Sequence, residues 1–495
     1  MIRVLTLLVG ASALIPQSPT PHRRPARRGP PTAMRGGGFL SNILGGKGED
    51  APIRDAAPTW DALRAKLTAL QTPEESQARE VRDSGRGPPS AAADLRLFDA
   101  PDGTEPRVIL YRDSAAWCPY CQKVWIQLEE KAIPYTIERI NMRCYGDKPG
   151  WFQQATGGLL PVIRLDGKLI TDSVTIMYAL EEAFPENNPL LPPPGSALAK
   201  VVPPLLRLEQ QFAGAWLGWL RAPGALDGRG RAQFEAVAAN LEAALGERGG
   251  PYFLGAELSL VDLLFCSFVE RAAASLLYFK GFALRRSAAY PNVERWFKAM
   301  ETRPSYRASQ SDYYTHAHDL PPQLGGCSSN GTPEAKAVQE EIDGGDWRLP
   351  LAADPSQPLP AWCAADAEAG WPAARREAAA RLIENHEAVA TFARRAHGPP
   401  GMPPVGAPLA DPNNLSPVEW HAESVDVALR HVAQSLLEVA DELEAFSSGL
   451  SAKPTAAALA YVRQRVGVPR DMSYPAARQF RAHLSEVMDR VEAAA

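Results

Sequence analysis

Between residues 105 and 187, short apolar runs alternate with amphipathic stretches, as expected of strands that alternate with helices. Their order is βαβ followed by ββα, which predicts an α/β thioredoxin-like domain. The predicted strands cover 108–111, 135–140, 162–165 and 169–170, and the predicted helices cover 119–131 and 173–184.

A second pattern begins after the Pro-rich linker at 191–195, where apolar residues recur at helical spacing. It predicts an all-helical second domain over 197–320. Its predicted helices cover 198–220, 228–246, 259–278 and 290–301.

A third region, 331–495, is also helical by its periodicity, and we interpret it as an appended helical extension of unknown function. The predicted helices cover 372–396, 417–446, 454–466 and 474–493. The second of these carries a heptad-like apolar seam at Val425, Leu429, Val432, Leu436, Val439, Leu443 and Phe446. An exposed seam would be an association hazard, so it must pack on neighbouring helices or on a second subunit. Short connections favour packing within the extension.

The first 48 residues do not look like part of a domain. They contain no acidic residue, and an Arg-rich stretch follows an apolar run that ends at Ala11-Ser12-Ala13. We interpret 1–48 as a bipartite targeting segment, with a plain secretory signal as the alternative. The sequence around Leu14 resembles the plastid-targeting junction of algae with secondary plastids, although Phe usually stands there, so we expect the plastid stroma. Residues 49–104 are predicted to form an N-terminal arm with one helix.

Composition narrows the function classes. The chain has 495 residues, of which 45% are hydrophobic and 22% charged, and its net charge of -5 argues against a nucleic-acid partner. Its six cysteines are too sparse for a disulfide scaffold, which favours a reducing compartment. No apolar run beyond the targeting segment is long enough to span a membrane.

Two cysteines are placed for redox chemistry. Cys118-Pro119-Tyr120-Cys121 stands where a predicted strand turns into a helix, so the Cys118 thiol should lie at the helix N-terminus, where a thiolate is stabilised. Cys118 is therefore the candidate nucleophile, with Cys121 one turn along. Half of a zinc site is the alternative, but neither Cys144 nor the distant histidines supply a second pair of ligands.

Two further features follow in order. Leu160-Pro161-Val162 precedes a strand, where a thioredoxin fold keeps a cis proline that presents the backbone of the next residue. Asp172 and Ser173 open the next helix, where a hydroxyl and helix N–H groups can bind a carboxylate while Asp172 holds an ammonium group. A γ-glutamyl group carries both a carboxylate and an ammonium group. Each feature alone could be an ordinary strand start or an N-cap.

Together these motifs give the segment 107–184 a resemblance to the glutathione-binding domain of glutathione transferases, and the helices to about residue 307 resemble the C-terminal domain of that family. The cysteine resembles that of the omega, lambda, dehydroascorbate-reductase and iota classes. The long extension resembles the iota class of photosynthetic organisms, whereas Cys121 is similar to the second cysteine of a glutaredoxin.

The resemblance implies specific roles. Cys118 would form a mixed disulfide with glutathione, the co-substrate. Cis Pro161 would present Val162 to the cysteinyl backbone, and Asp172 and Ser173 would hold the γ-glutamyl end. Lys148 or neighbouring Arg143 would bind the glycine carboxylate.

We therefore expect a glutathione-dependent thiol–disulfide oxidoreductase, in which a second glutathione or Cys121 releases the glutathionyl group. Expected partners are glutathione, a small oxidised or glutathionylated acceptor, and a second copy of the chain. Tyr120, Trp216 and Trp219 are candidates for the acceptor pocket, with burial in the core as the alternative for the two tryptophans. A non-catalytic carrier of an apolar ligand is the rival function.

No metal site is expected. His316 and His318 form a His-x-His pair that we interpret as part of a solvated tail. The extension contains histidines and glutamates, but it lacks the paired Glu-x-x-His repeats of a di-iron bundle.

Overall fold

The computed structural model describes residues 57–142, 146–344, 371–397, 421–438 and 452–493, all of which belong to one compact unit. Several features singled out above lie outside these residues. They are the targeting segment, Arg143, Cys144, and the seam positions Val439, Leu443 and Phe446.

The first domain is a five-stranded sheet in the order β1-β3-β2-β4-β5, with β2 and β3 parallel and the other pairs antiparallel. Two strands match the predicted bounds, and the thioredoxin-like fold is confirmed. The strands are β1 (Leu95–Arg96), β2 (Val108–Asp113), β3 (Tyr135–Ile140), β4 (Val162–Leu165) and β5 (Lys168–Thr171).

The N-terminal arm differs from the prediction. It contains two helices, α1 (Trp60–Leu70) and α2 (Pro73–Asp83), because Thr72 and Glu75 form a capping box that starts a new helix. The arm also supplies β1, which pairs with β3, and Arg96 of this strand forms a buried ion pair with Glu129. The remaining helices of the sheet domain are α3 (Pro119–Glu130), α4 (Gly150–Thr156) and α5 (Ser173–Ala183).

The second domain is helical, as predicted. Its central helix α8 is almost entirely buried and packs against α3 of the sheet domain, so the two domains share one hydrophobic core. The helices are α6 (Val202–Arg221), α7 (Asp227–Gly246), α8 (Leu260–Lys280), α9 (Pro291–Glu301), α10 (Pro304–Arg307), α11 (Tyr313–Leu324) and α12 (Pro333–Gly344). The last of these, α12, falls within the range predicted for the extension, but it packs on α8 and α11 of the second domain.

The described part of the extension is a bundle. Its helices are α13 (Trp371–Glu384), α14 (His386–Ala393), α15 (Ala422–Leu437), α16 (Ala452–Arg463) and α17 (Tyr474–Ala493). The described seam residues on α15 are buried, and α15 packs against α13, α14, α16 and α17, as predicted for packing within the extension. Arg375 of α13 donates to the carbonyls of Ser435 and Leu436, which lie at the C-terminal end of α15 and lack intrahelical partners.

The extension is joined to the rest of the protein by polar contacts. Helix α1 packs on α13 and α15, and Trp60 donates to Asp426 at 2.9 Å. At the other side, Arg481 of α17 pairs with Asp312, the N-cap of α11, at 2.6 Å, with both side chains fully buried. The arm and the extension therefore pack together, although they are far apart in sequence.

Among the described helices, none combines the length and the apolar composition that a membrane crossing requires.

Candidate active site

Cys118 occupies the N-cap position of α3 and is 9% exposed. No side-chain hydrogen bond caps the helix at this point, and the N–H groups in the first turn of a helix lack intrahelical partners. Pro119 at the first helical position fixes the backbone for helix entry. The structure thus places Cys118 at the N-terminus of α3, next to the cysteine that follows one turn later.

Cys121 lies one turn further and is buried. Burial raises the pKa of this thiol well above that of a free cysteine, and the hydrogen bond and charge it shares with Cys118 raise it further. At neutral pH, Cys121 is therefore a thiol that can donate to the sulfur of Cys118.

Asp113 at the end of β2 completes a cluster in which the two sulfurs and a carboxylate oxygen lie within 4.8 Å of one another. Its Oδ2 accepts from the Trp117 N–H at 2.7 Å, and its buried Oδ1 has no hydrogen-bond partner in the part of the chain that the structure describes. Three ligands are one fewer than a structural zinc takes, and one carboxylate oxygen is already engaged. The arrangement therefore favours thiol chemistry over metal binding.

Trp117, which directly precedes Cys118, is held by contacts from three elements. Its backbone N–H donates to Asp113, its carbonyl accepts from Arg271, and its indole N–H donates to Nδ1 of His316 at 2.9 Å. The Arg271 guanidinium also lies 4.7 Å from the indole ring centroid. These contacts come from β2, α8 and α11, so both domains fix the backbone that carries Cys118.

A buried polar layer connects these residues. Arg271 donates to Gln122 Oε1 at 2.7 Å, and Gln122 donates to Glu270 at 3.0 Å. Since His316 Nδ1 accepts from the indole, the neutral ring carries its proton on Nε2, which donates to Glu270 at 2.7 Å. Burial lowers the pKa of His316, which agrees with a neutral ring.

The motifs that the sequence analysis assigned to glutathione binding lie at the start of β4 and at the start of α5. The Leu160–Pro161 peptide bond is cis, as the sequence predicted, and Val162 opens β4 between Tyr111 of β2 and Thr171 of β5. Pro161 and Val162 are both buried.

Asp172 is the exposed N-cap of α5 and has a positive φ of 68°. Its Oδ1 accepts from the backbone and side chain of Thr175. None of the described residues bonds to its second oxygen or to the hydroxyl of buried Ser173. One carboxylate oxygen and one hydroxyl therefore remain for a ligand.

Lys148 is half-buried and donates to the Gly158 carbonyl. Burial lowers the pKa of this lysine, while the charges of Cys118, Cys121 and Asp113 act to raise it. The ammonium group is thus close enough to the cysteine pair to influence it electrostatically.

Tyr120 is 37% exposed and lies edge-on to Phe268 at 5.6 Å between centroids. Burial, followed by the charge of Cys118, raises the pKa of Tyr120 to about 12. Its hydroxyl therefore stays protonated at neutral pH, and its ring lines the site.

Trp216 and Trp219 are buried in the core of the helical domain. Trp216 donates to Ser275 and Trp219 to Asp227, each at 2.9 Å. Trp216 lies behind Phe268, with 6.2 Å between ring centroids. Their burial favours the core alternative over the acceptor pocket.

The sequence analysis missed the polar layer, and its interpretation of the two histidines was wrong. His316 is fully buried, and His318 bonds to Asp343 at 2.7 Å, because both lie on α11. One signal was present in the sequence: Glu270 and Arg271 interrupt an otherwise apolar helix, and charges in such a place need buried partners.

Known families match both domains. The family model of the glutathione S-transferase N-terminal domain matches residues 117–183, and that of the C-terminal domain matches residues 197–299. A relative from Arabidopsis thaliana, glutathione S-transferase DHAR2, is 30% identical over 195 residues, which are 39% of this chain and 84% of that protein. The chain belongs to the glutathione S-transferase family.

Other relatives also match less than half of this chain over most of their own length. Glutathione S-transferase omega-1 from Sus scrofa is 28% identical over 224 residues, or 44% of this chain and 87% of that protein. The crystal structure of glutathione transferase Omega 3C from Trametes versicolor is 30% identical, with a TM-score of 0.40, and covers 45% of this chain and 92% of its own. The family consists of enzymes.

Proposed function

We propose that this transferase is a glutathione-dependent thiol–disulfide oxidoreductase that works through a Cys118–glutathione mixed disulfide. The observation that carries the proposal is a cysteine, rather than a hydroxyl residue, at the uncapped N-terminus of α3. A hydroxyl would activate bound glutathione for conjugation, whereas a thiolate attacks a disulfide sulfur itself.

The ligand would lie beside the start of β4 and the N-terminus of α5. Val162 after the cis proline would pair with the cysteinyl backbone, and the free carboxylate oxygen of Asp172 would bind the γ-glutamyl ammonium group. Ser173 and the N-terminus of α5 would bind the neighbouring carboxylate. Lys148 would approach the glycine carboxylate.

The cycle needs only one protein sulfur. The Cys118 thiolate attacks the glutathionyl sulfur of a mixed disulfide, forms the Cys118–glutathione bond and releases the other thiolate, which takes up a proton. A second glutathione thiolate then attacks that glutathionyl sulfur, which forms oxidised glutathione and regenerates the Cys118 thiolate. The raised pKa of Cys121 supports this route, because at neutral pH little Cys121 thiolate exists to displace glutathione.

The names of the relatives agree with reduction chemistry. They include dehydroascorbate-reductase-type and omega-type transferases, so dehydroascorbate and glutathionylated thiols are the proposed acceptors. The long extension supports assignment to an iota-like class, whereas Cys121 is the feature that resembles a glutaredoxin. The bipartite N-terminus supports a plastid location.

A side-by-side assay tests the proposal. A glutathione mixed disulfide, dehydroascorbate and a conjugation substrate are compared under glutathione-coupled conditions. Wild-type protein should reduce at least one oxidised substrate and conjugate poorly. Cys118→Ser should lower reduction on the order of 10³-fold or more, because it removes the nucleophile. Substantial reduction by that variant would contradict the mechanism.

Cys327→Ser is the matched control. Cys327 is half-buried, and burial raises the pKa of its thiol to about 12, so it should not react. Its replacement should leave the reduction rate unchanged.

A further inference from the structure

The extension contains a cavity of about 610 Å³ that has no part in the chemistry described above. It lies between α13, α14, α16 and α17, and neither cysteine of the CPYC motif lines it. Small-molecule sites in proteins typically have volumes of about 300–1,000 Å³. The cavity is therefore large enough for an organic ligand rather than a single water molecule.

The walls of the cavity combine apolar and cationic groups. The apolar part, contributed by all four helices and the segment before α17, consists of Leu382, Val389, Phe392, Val462, Val466, Met472 and Phe480. The cationic part consists of Arg381, Arg395, Arg465 and Arg470. A ligand that matches both parts has an apolar body and a charged head.

The charges of the residues that line the cavity indicate the sign of the charge on the ligand's head group. Asp471 is the acid among the described lining residues, and Arg470 already pairs with it through both carboxylate oxygens, at 2.8 and 2.7 Å. Among the described lining residues, the guanidinium groups therefore outnumber the carboxylates. An anionic head is favoured.

The arginines are held in different ways. Arg395 stacks over Phe392 at 5.3 Å, and Arg465 lies over the ring of Tyr461 at 3.5 Å. Arg381 is half-buried at the end of α13, and within the ranges that the structure describes no acceptor pairs with its guanidinium group. A half-buried arginine gains most from an acceptor that enters beside it.

We infer that the extension is a binding domain for a small amphipathic anion, an organic carboxylate with an apolar chain, whose head pairs with Arg381 and whose chain lies against the apolar wall. The site is separate from the Cys118 cleft and is independent of the proposed function. The transferase would thus carry a second ligand, which its catalytic domains do not bind.

The test is equilibrium binding of a dansyl-labelled undecanoate to the full chain, with S-hexylglutathione present to fill the catalytic cleft. The probe should bind with increased fluorescence, and decanoate should displace it. Decanol lacks the charge and acetate lacks the chain, so neither should compete at the same concentration. Decanoate should also raise the thermal midpoint of the wild-type protein.

Two variants probe the two parts of the site. Arg381→Gln should weaken probe binding roughly tenfold, as the loss of a charged hydrogen bond does. Ala388→Trp places a large ring at an exposed position on the cavity wall and should weaken binding by filling the space. Arg207→Gln is the matched control, because Arg207 is an exposed arginine on α6 away from the cavity.

Several outcomes would overturn the inference. They are displacement of the probe by S-hexylglutathione, equal competition by decanol and decanoate, or wild-type affinity in Arg381→Gln. Wild-type affinity in Ala388→Trp, with the fold intact by circular dichroism, would place the probe elsewhere. None of these results depends on whether Cys118 is catalytic.

Discussion

Two regions of the protein differ in how their buried or half-buried arginines are bonded. One is the polar layer between the two transferase domains, and the other is the cavity in the extension. In the layer, Arg271 is buried and donates to Gln122, Ser267 and Trp117. These hydrogen bonds fix the backbone next to Cys118. In the cavity, Arg381 is half-buried and has no partner among the described residues. Paired buried charges give a site its geometry, whereas an unpaired charge at a cavity wall is available to a ligand.

The largest effect should come from breaking the paired layer. Arg271→Met removes the donor to Gln122 Oε1 and the Trp117 carbonyl, and it leaves Glu270 without its cationic neighbour. Leaving buried hydrogen-bond acceptors without their charged donor costs about 1–3 kcal/mol, so the apparent Tm should fall clearly. Thermal unfolding followed by circular dichroism measures this. Arg207→Met, an exposed arginine, should leave the midpoint in place, and an equal effect of the two variants would argue against the layer.

Low pH should destabilise the folded extension against unfolding, because His483 is buried there. Burial, followed by the charge of Arg375, lowers the pKa of His483 to about 3 from 6.5. The unfolded chain binds the proton and the folded chain does not, so this stabilisation is complete above pH 6.5 and is lost as the pH falls towards 3.

The measurement is the difference in Tm between pH 7 and pH 5. His483→Asn keeps a side-chain hydrogen-bond partner for the Ser435 hydroxyl, which lies 2.8 Å from His483 Nδ1, and it removes the titrating ring. The difference in Tm should be smaller in this variant than in the wild type. The same acid sensitivity in both proteins would assign it to other groups, such as His316, whose pKa is also lowered.

A smaller effect is expected at the edge of the catalytic cleft. Asp172→Asn keeps the oxygen that caps α5 and tolerates the positive φ of 68°, but it removes the charge proposed to hold the γ-glutamyl ammonium group. Because Asp172 is exposed, the ion pair is worth at most about 1 kcal/mol. The KM for glutathione should rise about two- to fivefold, with kcat unchanged. Steady-state kinetics with an unaltered KM would remove Asp172 from the site.

The smallest effect should follow Cys121→Ser. The raised pKa of the buried Cys121 thiol makes it a poor nucleophile at neutral pH, so the route through a second glutathione should continue. Turnover at pH 7 should stay within about twofold of the wild type. Loss of all activity would instead show an obligatory dithiol cycle.

Local pattern was enough to predict much of the fold. The bounds of β3 and β4 follow from runs of a few residues, and the CPYC motif placed Cys118 at a helix start. The boundary between α1 and α2 was missed although its signal, Thr72 with Glu75, is equally local.

The polar layer could not be predicted from local sequence patterns. Trp117 and His316 are 199 residues apart in the chain, and Arg271 lies 154 residues from Trp117. Periodicity reports which face of a helix is buried, but not which distant residue it meets. The contact between α1 and the extension, through Trp60 and Asp426, was missed for the same reason.

The central claim is that Cys118 carries glutathione covalently. The most direct measurement is intact-protein mass spectrometry of the reduced full chain after brief exposure to a glutathione mixed disulfide, with peptide mapping of the adduct. The account predicts one glutathionyl group on Cys118 in the wild type and in Cys121→Ser, removed by added glutathione, and none at this site in Cys118→Ser. Unmodified Cys118 in the wild type, or an adduct confined to another cysteine, would contradict it.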